Sequence, residues 1–377
     1  MINYELWYAD ALGNRIEPIT HINIPEYVKT VGGLGFLNVA IPFDRSKTYA
    51  GQNPDRRIHL YRQPINGALE LELICFCRRF RYATNSVGLT SQSISGFDQN
   101  ELLARRIVAY YANETQTTKT AEADDMMKEV VDENMGSSSA TDYDGNAVTG
   151  RDITSDGFSI AGDLTDGPSL TKSFAWRNVL SVLQSLQASS KALGTEVYFG
   201  IVPNSPTSLI FETKTGQWGA DRSITSGINP IVFSLEWGNL VNPSMEFDYT
   251  QEASLVYAGG TGKGSNRVIQ EDENTESTGL SPFSRREKFT SNNTANPDSV
   301  KALAEDEIAR RRPIRTVTGT LISTPSAPYG GNGWNIGDLV TVNYLDVQFD
   351  TMVKSVSVRM NQRGKETITA KIEDQSL

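Results

Sequence analysis

Side chains that could act as nucleophiles or metal ligands are scarce in this sequence. Its 377 residues include two cysteines and two histidines, His21 and His59. A His–Cys metal site or a Ser-His-Asp triad would need most of these side chains to converge, and no GxSxG or HExxH spacing points to either. Cys75 and Cys77 stand two apart in a strand-like run, so both side chains point to the same face. We interpret them as small core hydrophobes, and we predict no catalytic, cofactor or metal site.

Carboxylates are the one reactive group in excess. The chain carries 45 acidic residues against 35 basic ones, giving a formal net charge of −10 and a pI near 4.9. Two convergent carboxylates could hydrolyse a glycosidic bond, but the separation that matters, roughly 5–10 Å, is a property of the fold. A glycan hydrolase therefore stays open, while a solvated acidic surface is the simpler interpretation. The charge argues against a surface that grips phosphates, because nucleic-acid binders concentrate Lys and Arg.

Two loops come close to known ion- or phosphate-binding motifs. Residues 142–146 match the first acidic positions of a calcium loop, but Ile153 stands where the bidentate glutamate should be. Residues 259–267 are rich in glycine, yet Tyr257 and Gly264 occupy positions where a Walker motif needs Gly and then Ser or Thr. We therefore predict no calcium site in the first loop and a mobile hairpin tip in the second.

The elements that position these side chains are expected to be mainly β-strands. Apolar residues make up 38% of the chain, and 31 Gly with 15 Pro suit a turn-rich β protein better than a helical bundle. A chain of this length is expected to form about two to four domains. The N-terminal sequence MINYELWYAD lacks a basic region before an apolar stretch, and no run reaches about 18 apolar residues. We expect neither a signal peptide nor an integral membrane segment.

Residues 1–95 alternate strand-like runs with turn residues, and we predict a first β-barrel-like domain there. The dipeptide Asn66-Gly67 between two such runs is a strong hairpin signal. In the next run, apolar side chains alternate with others from Leu71 to Cys77. This alternation predicts a half-buried strand of a small barrel or sandwich.

Residues 96–228 mix helical and strand-like patterns, which predicts a central α+β domain. Asp98 is placed to cap a short helix, and the β-branched and aromatic run 105–111 favours an extended segment. A second helix follows, with acidic residues in its first turn and with Met126 and Val130 on its apolar side.

A long segment and a long helix complete this central part. Residues 136–169 carry few large apolar side chains and are too long for an ordinary connection, so we predict an extended or mobile loop at a functional face. From residue 173 to 193, apolar residues that include Trp176 recur at helical spacing. Gly194 is placed to end this helix.

From residue 229 to 377 the β character returns, and we predict a second β-barrel-like domain. One helix, 297–312, interrupts it, with Asn296 as its cap, Pro297 in the first turn and three arginines at the negative end of the dipole. Residues 362–365 are expected to turn a final hairpin. The predicted domains are therefore 1–95, 96–228 and 229–377.

A set of stretches also carries a familiar pattern over nearly the whole chain. They are YELWYADALGNRI, VGGLGFLNVAIPF, the helix-to-helix stretch at 96–135, SFAWRNVLSVLQSLQ followed by GTEVYFGIV, LIFETKTGQWGADRS, LVYAGGTGKGSNR and WNIGDLVTV. In this order and spacing they resemble the tail-hub, or baseplate-hub, proteins of long-tailed bacteriophages.

This resemblance implies a mainly β fold with an α+β centre, in which two tail-tube-like β-barrel domains are joined by smaller mixed domains. It further implies a structural, non-enzymatic virion protein at the tail tip, a homotrimeric ring that closes the tail tube and adapts sixfold to threefold symmetry. The implied partners are the distal tail protein, the tape-measure protein and tail-tip or fibre proteins. DNA would pass through the lumen during ejection without sequence-specific binding, and carboxylates lining the lumen would repel its backbone.

Two alternatives make different demands on the fold. A tail-tip cell-wall glycan hydrolase would show a cleft with two convergent carboxylates. A receptor-binding tail protein would expose aromatic side chains such as Trp218 or Trp334 to stack on host sugars, although we expect both to pack under loops. The resemblance carries no catalytic residues, so no site residue is assigned.

Overall fold

The computed structural model is mainly β with a mixed α+β centre, as predicted. It describes residues 3–20, 24–64, 67–109, 117–139, 141–148, 150–174, 176–225, 228–360 and 366–374. Strands dominate the beginning and the end of the chain, and the longer helices lie between them. Within these described ranges, no helix combines the length and the apolarity needed to cross a membrane.

The secondary structure elements are numbered in chain order. The strands are β1 (Asn3–Ala9), β2 (Arg15–Ile19), β3 (Ile24–Thr30), β4 (Phe36–Pro42), β5 (Arg57–Gln63), β6 (Glu70–Thr84), β7 (Thr90–Phe97), β8 (Thr117–Glu122), β9 (Phe158–Ile160), β10 (Ser169–Phe174), β11 (Val197–Ser205), β12 (Ser208–Thr215), β13 (Asp221–Arg222), β14 (Val232–Ser234), β15 (Leu240–Asp248), β16 (Leu255–Gly259), β17 (Ile269–Glu273), β18 (Glu287–Ser291), β19 (Ile314–Leu321), β20 (Leu339–Tyr344), β21 (Val347–Met360) and β22 (Glu366–Asp374). The helices are α1 (Glu101–Ala104), α2 (Ala123–Met135), α3 (Val179–Ala192), α4 (Thr275–Thr278) and α5 (Pro297–Arg310).

Among the described residues, one sheet of 14 strands contains both the first and the last strand. Its main path runs β15-β19-β22-β21-β3-β4-β7-β6-β5-β1-β2, and β20 pairs with β21 while also carrying β13 and β14. The junction is the antiparallel pairing of β3 with β21, in which Tyr27 lies opposite Val358. Strands far apart in the sequence thus form one hydrogen-bonded sheet. The predicted domain boundaries near residues 95 and 228 stay a prediction.

Strand β6 lies between two hydrophobic cores. Leu73 and Cys75 pack in the first core, which consists of side chains from the main sheet and the loops beside it. Ile74 and Phe76 pack in the second core, together with side chains of α2 and α3. The predicted half-buried strand is therefore wrong for residues 73–77, which are all buried. Successive side chains of a strand point to opposite faces, and here the central helices cover the second face.

The second core holds the α+β centre together. Strands β8 and β10 pair in one small sheet, and β11, β12 and β9 pair in another. Helix α2 buries Met126, Met127, Val130 and Val131 against these elements, which confirms the predicted apolar side. Segment 136–169, predicted as a loop, contains β9, which pairs in parallel with β12. Its predicted role at a functional face stays a prediction.

Helix α3 begins at Val179, later than predicted, because the residues before it form strand β10. Trp176, predicted on the apolar side of the helix, lies outside it, is 47% exposed and packs edge-on against Tyr143 at 5.5 Å between ring centroids. Gly194 follows the last turn with a φ of 94°, a conformation that glycine adopts without strain. The predicted end of the helix is therefore confirmed, and its start is wrong.

A third, smaller unit consists of β16, β17, β18 and α5. The glycine-rich loop joins β16 to β17 in an antiparallel hairpin, as predicted, and β18 pairs with β16 in parallel. Helix α5 starts at Pro297 behind Asn296, which accepts the Asp298 N–H at 2.9 Å. The helix ends at Arg310 rather than at 312, and its apolar side packs on β16 in a third core.

Two local predictions around α1 need correction. The Asp98 carboxylate accepts the Asn100 N–H at 3.1 Å, and Asn100 rather than Asp98 occupies the cap position. The described residues after α1, 105–109, make only an isolated bridge, Ile107 to Asn178, because they pair with the short stretch before α3 and not with a strand. The Val108 N–H donates to Arg177 O at 2.8 Å in this pairing.

Several sequence features lie outside the described residues. They are His21, Asn66 of the predicted hairpin, Tyr110 and Tyr111 of the predicted extended segment, and the predicted turn at 362–365.

Candidate functional site

Among the described residues, the two cysteines and His59 are buried in the fold. Cys75 and Cys77 are free thiols in the first core, as predicted, and burial raises the pKa of both. His59 is fully buried, and its ring nitrogens have no hydrogen-bond partner in the part of the chain that the structure describes. Burial, together with Arg57 and Arg15, lowers the pKa of His59 to about 4. All three side chains are therefore uncharged at pH 7.

The loop that resembles the start of a calcium site closes on itself. The Asp142 carboxylate accepts the backbone N–H of Asn146 at 2.8 Å and its side-chain N–H at 3.3 Å. The Asp142 N–H donates to Asn146 O at 2.8 Å. Ile153, at the position of the missing glutamate, packs against the second core. The oxygens of Asp142 thus stabilise a tight turn.

Three aspartates, Asp124, Asp125 and Asp163, meet at the start of α2. One carboxylate oxygen of each lies within 4.8 Å of the others. Lys128 donates to Asp124 at 3.0 Å, and the Asp166 N–H donates to the same carboxylate at 2.7 Å. The Asp124 carboxylate therefore already has hydrogen-bond donors within the protein.

Asp125 and Asp163 behave as a pair that shares a proton. Burial and the hydrogen bond with Asp163 raise the pKa of Asp125 to about 7, while the same hydrogen bond lowers the pKa of Asp163. Sharing a proton relieves the repulsion between adjacent carboxylates. Catalytic pairs of glycosidases are separated by roughly 5–10 Å across a cleft, which these crowded oxygens do not offer. The cluster therefore gives the hydrolase alternative no support.

Asn100 joins three segments at the entry to α1. Its Nδ2 donates to Gly33 O at 2.7 Å, and its Oδ1 accepts the Ile201 N–H at 2.8 Å. Gln99 donates from Nε2 to Ile201 O at 2.9 Å. These bonds connect the loop after β3 to α1 and β11, so they anchor the α+β centre to the main sheet.

A cavity of 290 Å³ lies at this joint, lined in part by Lys29, Asp98, Asn100 and Trp218. Asp98 is 4% exposed, and burial raises its pKa to about 7 although backbone N–H groups act in the opposite direction. Asp98 is therefore a carboxyl group that titrates near neutral pH inside the protein.

A buried ion pair connects the first and last β segments. Arg62 on β5 is 1% exposed and donates to the two oxygens of Glu366 on β22 at 2.7 and 2.8 Å. It donates again to Tyr329 O at 2.8 Å, and the Tyr4 hydroxyl also donates to Glu366. Burial opposes the charge on Arg62, but the hydrogen bond to Glu366 outweighs it and the pKa of Arg62 is raised. The guanidinium is thus fully paired although it is buried.

The network continues on the side of β6. The Tyr329 hydroxyl donates to Glu72 at 2.8 Å, and Lys29 donates to the same carboxylate at 3.1 Å. Burial opposes ionisation of Glu72, but Lys29, Tyr329 and Arg62 outweigh it and lower its pKa. We call this set the polar seam: Tyr4, Lys29, Arg62, Glu72, Tyr329 and Glu366.

Tryptophans that were candidates for sugar stacking pack inside the protein or against its loops, as expected. Trp334 is fully buried, and its Nε1 donates to Ala327 O at 3.2 Å. Trp218 is half-buried against Gly337, where an added Cβ would lie 2.4 Å from the indole Cδ1.

A different tryptophan is exposed. Trp237 is 65% exposed and Leu235 is 53% exposed, in the turn that follows β14. Because β14 and β20 are parallel and Ser234 pairs with Asn343, this turn lies at the same end of the sheet as the β20–β21 turn. There Leu345 is 70% exposed. We call Leu235, Trp237, Leu345 and the neighbouring Val347 the Trp237 patch.

Comparison with known proteins shows the family to which the chain belongs. The model of the family described as Siphovirus ReqiPepy6 Gp37-like protein matches residues 75–372. A search of curated protein sequences finds no match.

Solved structures share the fold over the full length of the chain. The tail protein from Neisseria meningitidis MC58 aligns with a TM-score of 0.60 at 13% identity, covering 99% of this chain and 97% of the other. The 43 kDa tail protein of prophage MuSo2 from Shewanella oneidensis aligns with a TM-score of 0.60 at 12% identity, covering 99% and 98%. The prophage tail protein gp18 from Listeria monocytogenes EGD-e aligns with a TM-score of 0.52 at 11% identity, covering 99% and 95%.

Sequence reasoning missed the polar seam and the aspartate cluster. No local signal marks Arg62, because it stands between Tyr61 and Gln63 in a strand that also carries Arg57. Its partner Glu366 is 304 positions away, and no local pattern connects the two. For the cluster, the adjacent Asp124 and Asp125 suggested only a helix start.

Proposed function

The chain belongs to the family of Siphovirus ReqiPepy6 Gp37-like proteins and has the fold of phage tail proteins, and from this premise we propose that it is the tail-hub protein of a long-tailed phage. In this role three copies form a ring at the tail tip, close the tail tube and adapt its sixfold symmetry to a threefold tip. The ring contacts the distal tail protein, the tape-measure protein and tip or fibre proteins, and it catalyses no reaction.

The continuous main sheet is the observation that carries this proposal. Its strands come from residues 3–97 and 221–374, and β3 and β21 join the two sets. The polar seam fastens the same two sets through a paired charge. A continuous sheet stabilised in this way suits a structural protein that must keep its shape within an assembly. We propose that the two strand sets provide the two tail-tube-like β-barrel domains, divided near residues 95 and 228.

Exposed apolar side chains supply contact surfaces for such a ring. The Trp237 patch lies at one end of the sheet, and the β6–β7 hairpin ends in Val87 and Leu89, which are 76% and 69% exposed. Contiguous exposed apolar groups commonly mark protein–protein contacts. We propose that the Trp237 patch is covered by a neighbouring copy of the chain in the ring.

The net charge agrees with the passage of DNA. The chain carries a formal charge of −10, and a lumen lined by carboxylates would repel phosphates and keep DNA from adhering. DNA then passes without sequence-specific binding.

Native mass spectrometry tests the ring, both on the protein alone and with the distal tail protein of the same phage. We expect a species of three times the 41.4 kDa chain mass in at least one of the two samples. Trp237→Ser should abolish this species, whereas Phe283→Ser, which changes a side chain that is 92% exposed in the third unit, should leave it intact. Monomers in both samples, or equal effects of the two variants, would contradict the proposal.

A further inference from the structure

A cavity of 420 Å³ opens beside the start of β5, away from the polar seam and the Trp237 patch. Much of its wall is apolar and includes Leu12, Phe76, Phe158 and Leu209. The volume lies within the range of about 300–1,000 Å³ typical of ligand sites. The first β segment, α1 and the α+β centre all contribute to its wall, so it is formed only in the folded chain.

Arg57 lines this cavity with an unpaired charge. The side chain is 5% exposed, and its Nε and Nη1 have no hydrogen-bond partner among the residues that the structure describes. The face of the guanidinium stacks on Phe76, with 4.8 Å between Cζ and the ring centroid, which leaves the N–H edge unused. Burial lowers the pKa of Arg57, but the group stays charged at neutral pH because its ordinary pKa is far higher.

The nearby carboxylates are engaged elsewhere. Asp55 pairs with Arg105 at 2.7 Å and with Arg78 at 2.8 Å. Asp10 acts on Arg57 through its charge, yet its Oδ1 accepts the Leu12 N–H at 2.9 Å in its own turn. No carboxylate of the described ranges therefore bonds to the Arg57 guanidinium.

The chemistry of the cavity selects one kind of ligand. A buried, unpaired guanidinium is costly, and a carboxylate that enters the cavity would form charge-assisted hydrogen bonds with it. The apolar wall favours an aliphatic or aromatic stem next to that carboxylate. Asp55 and Asp156, which also line the cavity, disfavour a doubly charged phosphate.

We propose that this cavity is a docking site for an acidic side chain of a neighbouring protein chain, an Asp or Glu flanked by apolar residues that binds to Arg57. The site is independent of the ring: it requires a partner that presents such a segment, whatever the symmetry of the assembly.

Binding of short peptides to the full chain tests the site. The probe is acetyl-Ala-Leu-Glu-Leu-Ala-amide, and its matched control replaces Glu by Gln; isothermal titration calorimetry measures both. We expect the Glu peptide to bind at least about tenfold more tightly than the Gln peptide, since a charge-assisted hydrogen bond contributes about that factor or more. This comparison needs only the unaltered protein, so it does not depend on how a variant folds.

Two variants locate the effect at Arg57. Arg57→Gln should weaken the Glu peptide to the level of the Gln peptide. Arg15→Gln is the matched control, because Arg15 also stacks on aromatic rings, Trp7 at 4.8 Å and Tyr61 at 4.7 Å, but lies exposed outside the cavity. It should leave binding unchanged.

Other outcomes would overturn the proposal. Equal binding of the two peptides, or no binding of either at millimolar concentration, would show that no acidic side chain docks there. Binding of hexanoate without binding of the Glu peptide would assign the cavity to a small organic acid. Tighter binding of hexyl phosphate than of hexanoate would assign it to a phosphate ligand.

Discussion

Arg57 and Arg62 lie on the same strand and both are almost completely buried, but their surroundings differ. Arg62 points into the first core and donates to both oxygens of Glu366, whereas Arg57 points to the opposite face of β5 and has no carboxylate partner among the described residues. Their exposed fractions are 1% and 5%. Burial therefore does not distinguish them, and pairing does.

The presence or absence of a carboxylate partner indicates whether a buried arginine has a structural role or a binding role. Removing one member of a buried pair leaves an uncompensated charge, so a paired arginine constrains the fold that supplies its partner. An arginine that the protein leaves unpaired costs stability in the isolated chain and gains its partner from outside. We therefore assign Arg62 to holding the two strand sets together and Arg57 to docking.

Breaking the paired charge should have the largest effect. Glu366→Gln leaves the buried Arg62 without the carboxylate that it is hydrogen-bonded to, and we expect it to lower the free energy of unfolding by about 3–5 kcal/mol in urea denaturation. The control is Glu287→Gln, which removes an exposed pair with Arg285 and should leave the free energy of unfolding unchanged. Equal effects of the two substitutions would refute the structural role of the seam.

Removing the uncharged Asn100 side chain, which joins three segments, should have the next largest effect on the free energy of unfolding. Asn100→Ala leaves the buried Gly33 carbonyl and Ile201 N–H without their partner, and we expect a loss of about 2–3 kcal/mol. Asn85→Ala removes an acceptor of two N–H groups at the exposed β6–β7 tip and should cost much less. If both variants unfold at the same urea concentration, Asn100 does not anchor the α+β centre.

The buried carboxyl group of Asp98 should make the free energy of unfolding depend on pH. The pKa of Asp98 is raised by burial from 3.8 to about 7, so its contribution to stability is complete below about pH 4 and is lost as pH rises through 7. Between pH 5 and pH 8 this loss amounts to about 2–3 kcal/mol.

Asp98→Asn should flatten the stability profile over this range, while Asp144→Asn, a change in an exposed loop, should not. Thermal unfolding at pH 5, 6, 7 and 8 measures the difference. A profile of Asp98→Asn that falls as steeply as that of the unaltered protein would show that Asp98 does not titrate there.

Removing the unpaired charge should have the smallest effect, of opposite sign. Arg57→Gln relieves a buried charge, and we expect the free energy of unfolding to stay constant or to rise by up to about 1 kcal/mol. Urea denaturation of the isolated chain measures it. A loss as large as that of Glu366→Gln would mean that Arg57 is a structural residue, and the contrast between the two arginines would fail.

The sequence predicted what local patterns determine. Alternating runs indicated a mainly β fold, the Asn296-Pro297 pair located the start of α5, and Gly194 located the end of α3. The order of several stretches pointed to phage tail hubs. The family match over residues 75–372 shows a siphovirus protein family, and the fold is shared with phage tail proteins.

Long-range pairing could not be predicted in this way. The register of β3 against β21 depends on strands at opposite ends of the chain, and the Arg62–Glu366 pair depends on that register. Burial of Ile74 and Phe76 on the second face of β6 depends on helices that arrive later in the chain. Neither arginine of β5 carried a local signal that distinguished its role, because the distinction lies in partners that the fold brings together.

The most direct test of the hub assignment is a cryo-EM map of the intact tail tip, refined without imposed symmetry. We predict three copies of this chain around the tube axis, each placing its main sheet against the next, with the Trp237 patch covered at the contact. A map in which the chain is a peripheral appendage, away from the axis and without threefold neighbours, would contradict it.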